Sequence, residues 1–313
     1  MSVIQVQAPG LLTTVQDLGR EGFGPLGVSP SGAADPISLR LGNRLVGNAE
    51  SAAGLEMMLL GGTFLFPEGA ILSLTGSDFG ATLDDVTVDL WTSVEVRPGQ
   101  TLRLGPTRSG ARCYLCVQGG VIVKPFLGSA STHILTGLGG FEGRSLRKGD
   151  VLPIASAIRS FRKRTIAPKA LEHLSLRKVL RVTPGPQIDW FSESSLRSFY
   201  EGTYRVGEQS NRMGLRLEGA SVSQHSGRQM ITEGVSLGAI QVPPGGSPII
   251  LFVEQQTTGG YPKIANVISA DLHRVGQLRP RDEIRFEQVT LETARSLLIE
   301  QEKLLASGEL IFQ

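Results

Sequence analysis

A chain of 313 residues with 40% hydrophobic and 19% charged residues has enough apolar surface for a packed core, which excludes a disordered chain. Its 31 basic and 29 acidic residues leave a net charge of +2, too weak a field to favour nucleic acid or an anionic membrane. The length points to two domains or one large β-rich unit, and 39 glycines with 17 prolines point to many tight turns between short strands.

The first strand is predicted at SVIQVQAP, with no basic segment followed by an apolar block as in a signal peptide. The stretch LLTTVQDLGREGFGPLGVSPSGAADP reads as loop, from its Gly, Pro, Ser and Asp content. A helix should follow, with Asp35 as N-cap, Pro36 in the first position, and Ile37, Leu41 and Leu45 on one face. Strands are expected in GLEMMLLGGTFLF, AILSLTGSD, ATLDDVTVDLW, TSVEVRPGQTLRLG, ARCYLCVQGGV and SLRKGDVLPI. Cys113 and Cys116 have the C-x-x-C spacing. In a strand, however, positions i and i+3 point to opposite faces, so buried, inert thiols are expected rather than a metal or redox pair. With no long apolar segment, the chain is expected to be cytoplasmic.

Residues 156–178 are basic and weakly periodic and read as a linker, dividing a β-rich half at 1–155 from a second half at 179–313. That second half should hold strands in KVLRVTPGPQIDWF, TYRVGEQSNRMGLRLEG, EGVSLGAIQVP, SPIILFV and DEIRFEQVT. Helices are expected in SESSLRSFYEG and in the C-terminal segment LETARSLLIEQEKLLASGEL. The halves echo each other, SLRLGN against GLRLEG and LGGTFLFP against LGAIQVP. An internal duplication and ordinary turn punctuation both explain the echo.

No P-loop, H-E-x-x-H or G-x-S-x-G motif occurs. GLGGFEGR at 137–144 reads as a tight surface turn, and His133, His173, His225 and His273 as structural or surface residues rather than ligands. Three stretches are dense in uncommon choices. The first offers Gln16, Asp17, Arg20, Ser31 and Asp35, and SNRMGLRLEG offers Asn211, Arg212, Arg216 and Glu218. The third, QQTTGGYP, breaks an apolar run with Gln256, Thr257, Thr258, Gly259, Gly260 and Tyr261. Two adjacent glycines cost backbone entropy, and that cost makes sense where a backbone must approach a ligand. Such groups gathered on loops read as a shared binding rim.

These stretches also carry a resemblance. VQDLGREGFGPLGVSPSGAADP, LTGSD, GPQIDWF, SNRMGLRLEG, GAIQVPPGGSPIILF and QTTGGYPKIANVISADL closely resemble the KipA / 5-oxoprolinase C-subunit family. That family is also called biotin-dependent carboxyltransferase and is similar to part of the carboxyltransferase region of urea carboxylase. The resemblance implies a mainly β fold of cyclophilin-like β-barrel architecture. It implies a partner resembling KipI, or the 5-oxoprolinase B subunit, and often the A subunit too. It implies ATP-driven opening of the 5-oxoproline lactam, with ATP used through the partners and no cofactor held by this chain alone. The alternatives it leaves are carboxyl transfer from carboxybiotin on another chain, or regulation of a kinase inhibitor. In that setting Gly259 and Gly260 would form an amide cradle, with Gln256, Thr257, Thr258 and Tyr261 as neutral partners. Arg212 and Arg20 would pair a carboxylate, and Asp17 and Asp35 would orient them or serve as base. Gln16, Ser31, Asn211 and Arg216 would complete the rim. Arg281 stands where the RPGD turn of the family has glycine, so backbone strain is expected there.

Overall fold

The computed structural model describes residues 2–155, 161–175, 177–224, 230–307 and 310–312. His225, residues 156–160 and 176 of the expected linker, and residues 308–309 of the expected C-terminal helical segment lie outside them. The chain forms two compact units, one of residues 1–20, 31–175 and 304–313, the other of residues 21–30 and 176–303. Residues 21–30 and 304–313 thus each group with the unit that the linear reading did not assign them to.

The first unit begins with β1 (Ser2–Ala8), β2 (Leu12–Gln16) and helix α1 (Pro36–Leu45). It continues with β3 (Gly54–Met58), β4 (Thr63–Phe66), β5 (Ala70–Gly76), β6 (Thr82–Leu83) and β7 (Val86–Thr87). Next are β8 (Ser93–Val96), β9 (Gln100–Arg103), β10 (Arg112–Val117), β11 (Val151–Ile154), β12 (Thr165–Ile166) and helix α2 (Pro168–His173). Two sheets result, ordered β11-β1-β4-β9-β6-β7 and β2-β3-β10-β5-β8. Ile4, Phe64, Phe66 and Leu102 of the first sheet meet Val15, Leu55, Leu72, Leu74 and Leu115 of the second in one buried core. The strand β2 corrects the loop reading of LLTTVQ. Its buried Thr13, Thr14 and Gln16 disguise it as polar.

Helix α1 starts as expected, with Ser38 N donating to Asp35 Oδ1 at 3.0 Å. It covers the outer face of the second sheet. There Leu39 meets Tyr114 and Cys116, whereas Cys113 joins the core on the opposite face. Both thiols are free and buried, and burial pushes each pKa far up, so neither is reactive. The other side of α1, Ile37, Leu41 and Leu45, packs on Ile166, Ala167, Ala170, Leu305 and Leu310. The described part of the expected linker therefore includes core, in β12 and α2.

The second unit contains β13 (Val179–Pro184), helix α3 (Glu193–Glu201), β14 (Tyr204–Val206), β15 (Gly214–Glu218), β16 (Glu233–Gly234), β17 (Ala239–Gln241) and β18 (Ile249–Leu251). β19 (Thr258–Gly259), β20 (Lys263–Val267), helix α4 (Leu272–Val275), β21 (Glu283–Gln288) and helix α5 (Leu291–Ala306) follow, and β22 (Ile311–Phe312) returns to pair with β12. Seven strands close a barrel in the order β13-β20-β17-β18-β15-β14-β21, sealed by the parallel pair β13–β21. The mainly β architecture with a barrel and few helices is as expected. No helix among the described residues is long and apolar enough to cross a membrane.

Candidate functional site

Strand register places the site. Across four barrel strands, Arg216 lies opposite Ile249, Ile249 opposite Gln241, and Gln241 opposite Lys263. Residues directly opposite share a face, so Arg216, Ile249 and Gln241 form one transverse row, while a register shift at Gln241 interrupts the pairing towards Lys263. The adjacent row, Leu215, Ile250, Ile240 and Ala265, is buried and points to the other face, into the barrel. The polar row therefore lies on the outer face. A cavity of about 170 Å³ opens over it, lined by Gln241, Ile249, Leu251, Met213, Arg216, Asn211, Gln209, Gly214, Gln256 and Tyr261. Asn211 and Arg216 of SNRMGLRLEG thus meet Gln256 and Tyr261 of QQTTGGYP in one place.

The polar groups of this cavity are mostly neutral amides. Gln241 is 2% exposed and accepts a hydrogen bond at Oε1 from Gln256 Nε2 at 3.3 Å. Its own Nε2 is buried with no hydrogen-bond partner among the described residues. Gly259 backs this pair. A Cβ there would sit 2.4 Å from Gln241 Nε2 and 2.8 Å from Gln256 Nε2, so the missing side chain is what lets both amides settle. At Gly260 a Cβ would meet only Thr232 Oγ1, at 3.4 Å. Of the two glycines expected to form a cradle, Gly259 packs against these amides, and it pairs with Glu233 where β19 meets β16. Thr258 is exposed, and Thr257 gives its carbonyl to Val235 N at 3.1 Å.

Behind the row, buried Lys263 donates to Glu233, and Gln187 Nε2 donates to the same carboxylate at 3.1 Å. The Lys263 hydrogen bond, then that of Gln187, holds the Glu233 carboxyl below its usual range. Asn211 spends its Oδ1 on Met213 N at 2.8 Å, closing the turn that shapes the rim. Arg216 is exposed, and its guanidinium has no ion-pair partner among the described residues.

Other expected site residues are committed elsewhere. Arg212 is 6% exposed and donates to Glu254, itself 2% exposed, in a buried ion pair. It does not line the cavity. In the first unit, Asp17 accepts hydrogen bonds from Gly19 N at 2.8 Å, Ser129 Oγ at 2.6 Å, Ala130 N at 2.6 Å and Ser131 Oγ at 2.5 Å. Three of these four donors fall on Oδ1 and one on Oδ2, so the carboxylate ties Ser129, Ala130 and Ser131 to the end of β2. Arg20 is buried, donates to the carbonyls of Phe126 and Ser131, and lies over the Phe126 ring. Gln16 donates to Thr132 O at 3.1 Å, and Ser31 Oγ donates to the same carbonyl at 2.9 Å. Asp35 takes both the backbone N–H and the hydroxyl of Ser38, at 3.0 and 2.5 Å, as a helix cap. The glycine run at 137–144 is half-buried rather than a plain surface turn. At Gly139 a Cβ would stand 2.3 Å from Ser131 O.

Residue-level reading missed Gln241, Glu233 and Lys263. A glutamine in the strand AIQVP was the available signal, because an outward polar residue there needs a partner. Among the described residues no group of three or more His, Cys, Asp and Glu gathers as a metal site. His133 and His273 are buried.

The chain thus carries a two-sheet unit and a closed barrel with an amide-lined outer pocket. The sequence profile of the carboxyltransferase domain, subdomain A and B, matches residues 26–288, and the chain belongs to that family. It is 38% identical over 303 residues to the 5-oxoprolinase C subunit of Escherichia coli K12, covering 96% of each chain. It is 35% identical over 326 residues to urea amidolyase of Saccharomyces cerevisiae, covering 98% of this chain but 18% of that protein. The solved structure of the K. lactis urea amidolyase superposes with a TM-score of 0.91 at 34% identity, over 99% of this chain and 20% of that one.

Proposed function

We propose that this chain is the C subunit of an ATP-dependent 5-oxoprolinase-type assembly that opens the lactam of 5-oxoproline to glutamate. The observation that carries the reading is the end-to-end match to the 5-oxoprolinase C subunit, 96% of each chain. The pocket supports it chemically. A lactam is a neutral amide, and Gln241, Gln256 and Asn211 present neutral donors and acceptors rather than competing charges. Arg216 is the exposed cation in the same row, suited to a substrate carboxylate by bidentate contact.

Net lactam hydrolysis breaks the C–N bond, gives water oxygen to the carbonyl carbon and returns a proton to nitrogen. The five-membered lactam is stable, so coupling to ATP drives the opening. This chain has no phosphate-binding loop, so the nucleotide belongs to a partner resembling the A or B subunit of 5-oxoprolinase. The assembly is taken to be cytoplasmic, in keeping with two unpaired cysteines.

A second reading is carboxyl transfer from carboxybiotin to urea, favoured by the 0.91 TM-score to the K. lactis urea amidolyase. The same amide-lined pocket suits urea. Biotin would arrive on another chain, since no lysine here sits in an A-M-K-M setting.

The test mixes the purified chain with the A and B subunits of 5-oxoprolinase and follows glutamate release and ATP hydrolysis. Turnover is expected only in the mixture. Equal turnover by the chain alone would remove the partner requirement. Urea carboxylation by a biotin-bearing partner, with no turnover of 5-oxoproline, would decide for the second reading.

A further inference from the structure

We propose that Gln241 is the specificity-determining residue of this pocket, reading the edge of a cis amide, with Gln256 holding its place when the pocket is empty. The inference rests on the lactam reading above and names the group that recognises the lactam.

Four observations converge on it. Gln241 lies in the outer row, 2% exposed, yet lines the cavity. Its Nε2 is a buried donor with no partner among the described residues. A buried amide hydrogen left unpaired is costly, and in native proteins such groups call for an explanation. Among the described residues its Oε1 is held only by Gln256, through a long 3.3 Å hydrogen bond from an exposed side chain. Gly259 leaves the space in which both amides lie.

A primary carboxamide carries its N–H and C=O side by side. A lactam is locked cis by its ring, so its N–H and C=O also share one edge. The two edges fit in antiparallel fashion. Gln241 Nε2 donates to the lactam oxygen while the lactam N–H donates to Gln241 Oε1. The second bond replaces the one from Gln256, which swings to water at little cost because it is exposed. An acyclic trans amide has N–H and C=O on opposite edges and satisfies only one of the two. Two strands along the row stands Arg216, with Ile249 between them. At a strand spacing of about 4.8 Å, that sets the guanidinium-bearing strand about 10 Å from the Gln241 strand, within reach of a long side chain folded over the site. Ile249 then provides an apolar floor for the ring methylenes.

The test uses the full chain reconstituted with the A and B subunits. kcat/KM is measured for 5-oxoproline and for its N-methyl lactam, in wild type, Gln241→Met and Gln256→Ala. Wild type should discriminate strongly against the N-methyl lactam, which lacks the second hydrogen bond. Gln241→Met keeps the volume and loses both bonds. It should lower kcat/KM for 5-oxoproline on the order of 10- to 100-fold and shrink the discrimination. Gln256→Ala removes the competitor and should lower KM. A merely structural role for Gln241 would change melting temperature without changing the ratio between the two lactams. Gln241→Met with wild-type kcat/KM and wild-type discrimination would overturn the inference while leaving the lactam reading intact. So would Gln256→Ala that abolishes turnover. Should Gln241→Met fail to fold, a wild type that turns over both lactams equally overturns the inference by itself. A wild-type complex with no turnover of 5-oxoproline overturns the lactam reading, and the inference with it.

Discussion

The first unit holds a polar cluster around Asp17 and the second a polar pocket around Gln241; each leaves a buried amide atom without a hydrogen-bond partner among the described residues, Gln16 Oε1 and Gln241 Nε2, and the two differ in what surrounds that atom. Around Asp17, Gln16, Arg20, Ser31, Ser129 and Ser131 bind one another and the carbonyls of Phe126 and Thr132. They sew the segment 126–132 onto the end of β2. Around Gln241, one buried amide nitrogen is left over and one exposed arginine has no ion-pair partner among the described residues. Both regions are rich in residues that look catalytic in a sequence. A buried cluster whose members mainly bind one another fastens a loop to a strand, whereas a cavity with an exposed cation in its lining can take a ligand, and this separates clamp from site.

The largest effect is expected from a buried ion pair that lies outside the pocket, at a residue that sequence motifs assign to chemistry. Arg212→Ala would leave Glu254 as an unpaired buried carboxylate, and breaking such a pair costs about 3–5 kcal/mol. Urea unfolding should show this loss, while any correctly folded fraction keeps its KM for 5-oxoproline. A stable Arg212→Ala protein with a raised KM would move Arg212 to the pocket side of the comparison.

Asp17→Ala should come next, at about 2–4 kcal/mol, since it leaves the Ser129 and Ser131 hydroxyls and Ala130 N without their acceptor. Asp271→Asn belongs to the same class and adds a pH signature. Burial raises the Asp271 carboxyl, but its bonds to Arg181, at 2.6 and 3.0 Å, and the charge of Arg274 outweigh that and hold it below the usual range. A depressed carboxyl contributes stability that is complete above the unfolded pKa near 4 and is lost as pH falls through the folded value. Asp271→Asn should therefore be less stable than wild type at pH 7, with the difference narrowing below about pH 4. Chemical denaturation across that range measures it, and a constant difference would remove the ionic account.

What could be seen in advance follows the range of the interactions. Helix α1 was legible because its cap, proline and apolar spacing are all local. Strand β2 was not, since its buried threonines and glutamine are satisfied by partners such as Thr132, 116 residues away from Gln16. The described part of the expected linker was missed for the same reason. Ile166 and Ala170 find their cover in Leu305 and Leu310, from the far end of the chain. The two loops of the pocket stood out by composition. Gln241 did not, because only the register of β18 against β15 and β17 puts it in a row with Arg216.

On the pocket side, the two adjacent glycines give a finer contrast. Neither needs a left-handed backbone, so alanine is tolerated conformationally at both. Gly259→Ala drives a methyl into the amides of Gln241 and Gln256, whereas Gly260→Ala meets only Thr232 at 3.4 Å. Gly259→Ala should cut turnover of the assembled complex on the order of 10-fold or more, as expected when a placed donor is displaced. Gly260→Ala should be near wild type. Equal losses in both would mean that the loop backbone, not the amide pair, does the recognition.

The smallest effect is expected at Arg281. Its φ of 74° lies in the left-handed region, as the missing glycine of the turn implied. A non-glycine residue there stores about 1 kcal/mol of strain. Arg281 also pairs with Glu208, at 2.8 and 2.5 Å, but the two side chains are 78% and 64% exposed, so the pair is worth roughly 0–1 kcal/mol. Glycine would relieve the strain, lose the pair and add about 0.5–1 kcal/mol of unfolded-state entropy. The three terms nearly cancel, so Arg281→Gly should shift the melting temperature by no more than about 2–4 °C at low salt. Salt separates them. Near 1 M the Debye length falls to about 3 Å and the exposed pair is screened, while strain and chain entropy are unaffected. The glycine variant should therefore gain on wild type as salt rises, read as the difference between two melting temperatures. A difference independent of salt would mean that the Glu208 contact contributes nothing, and that the arginine is carried at the cost of its strain alone.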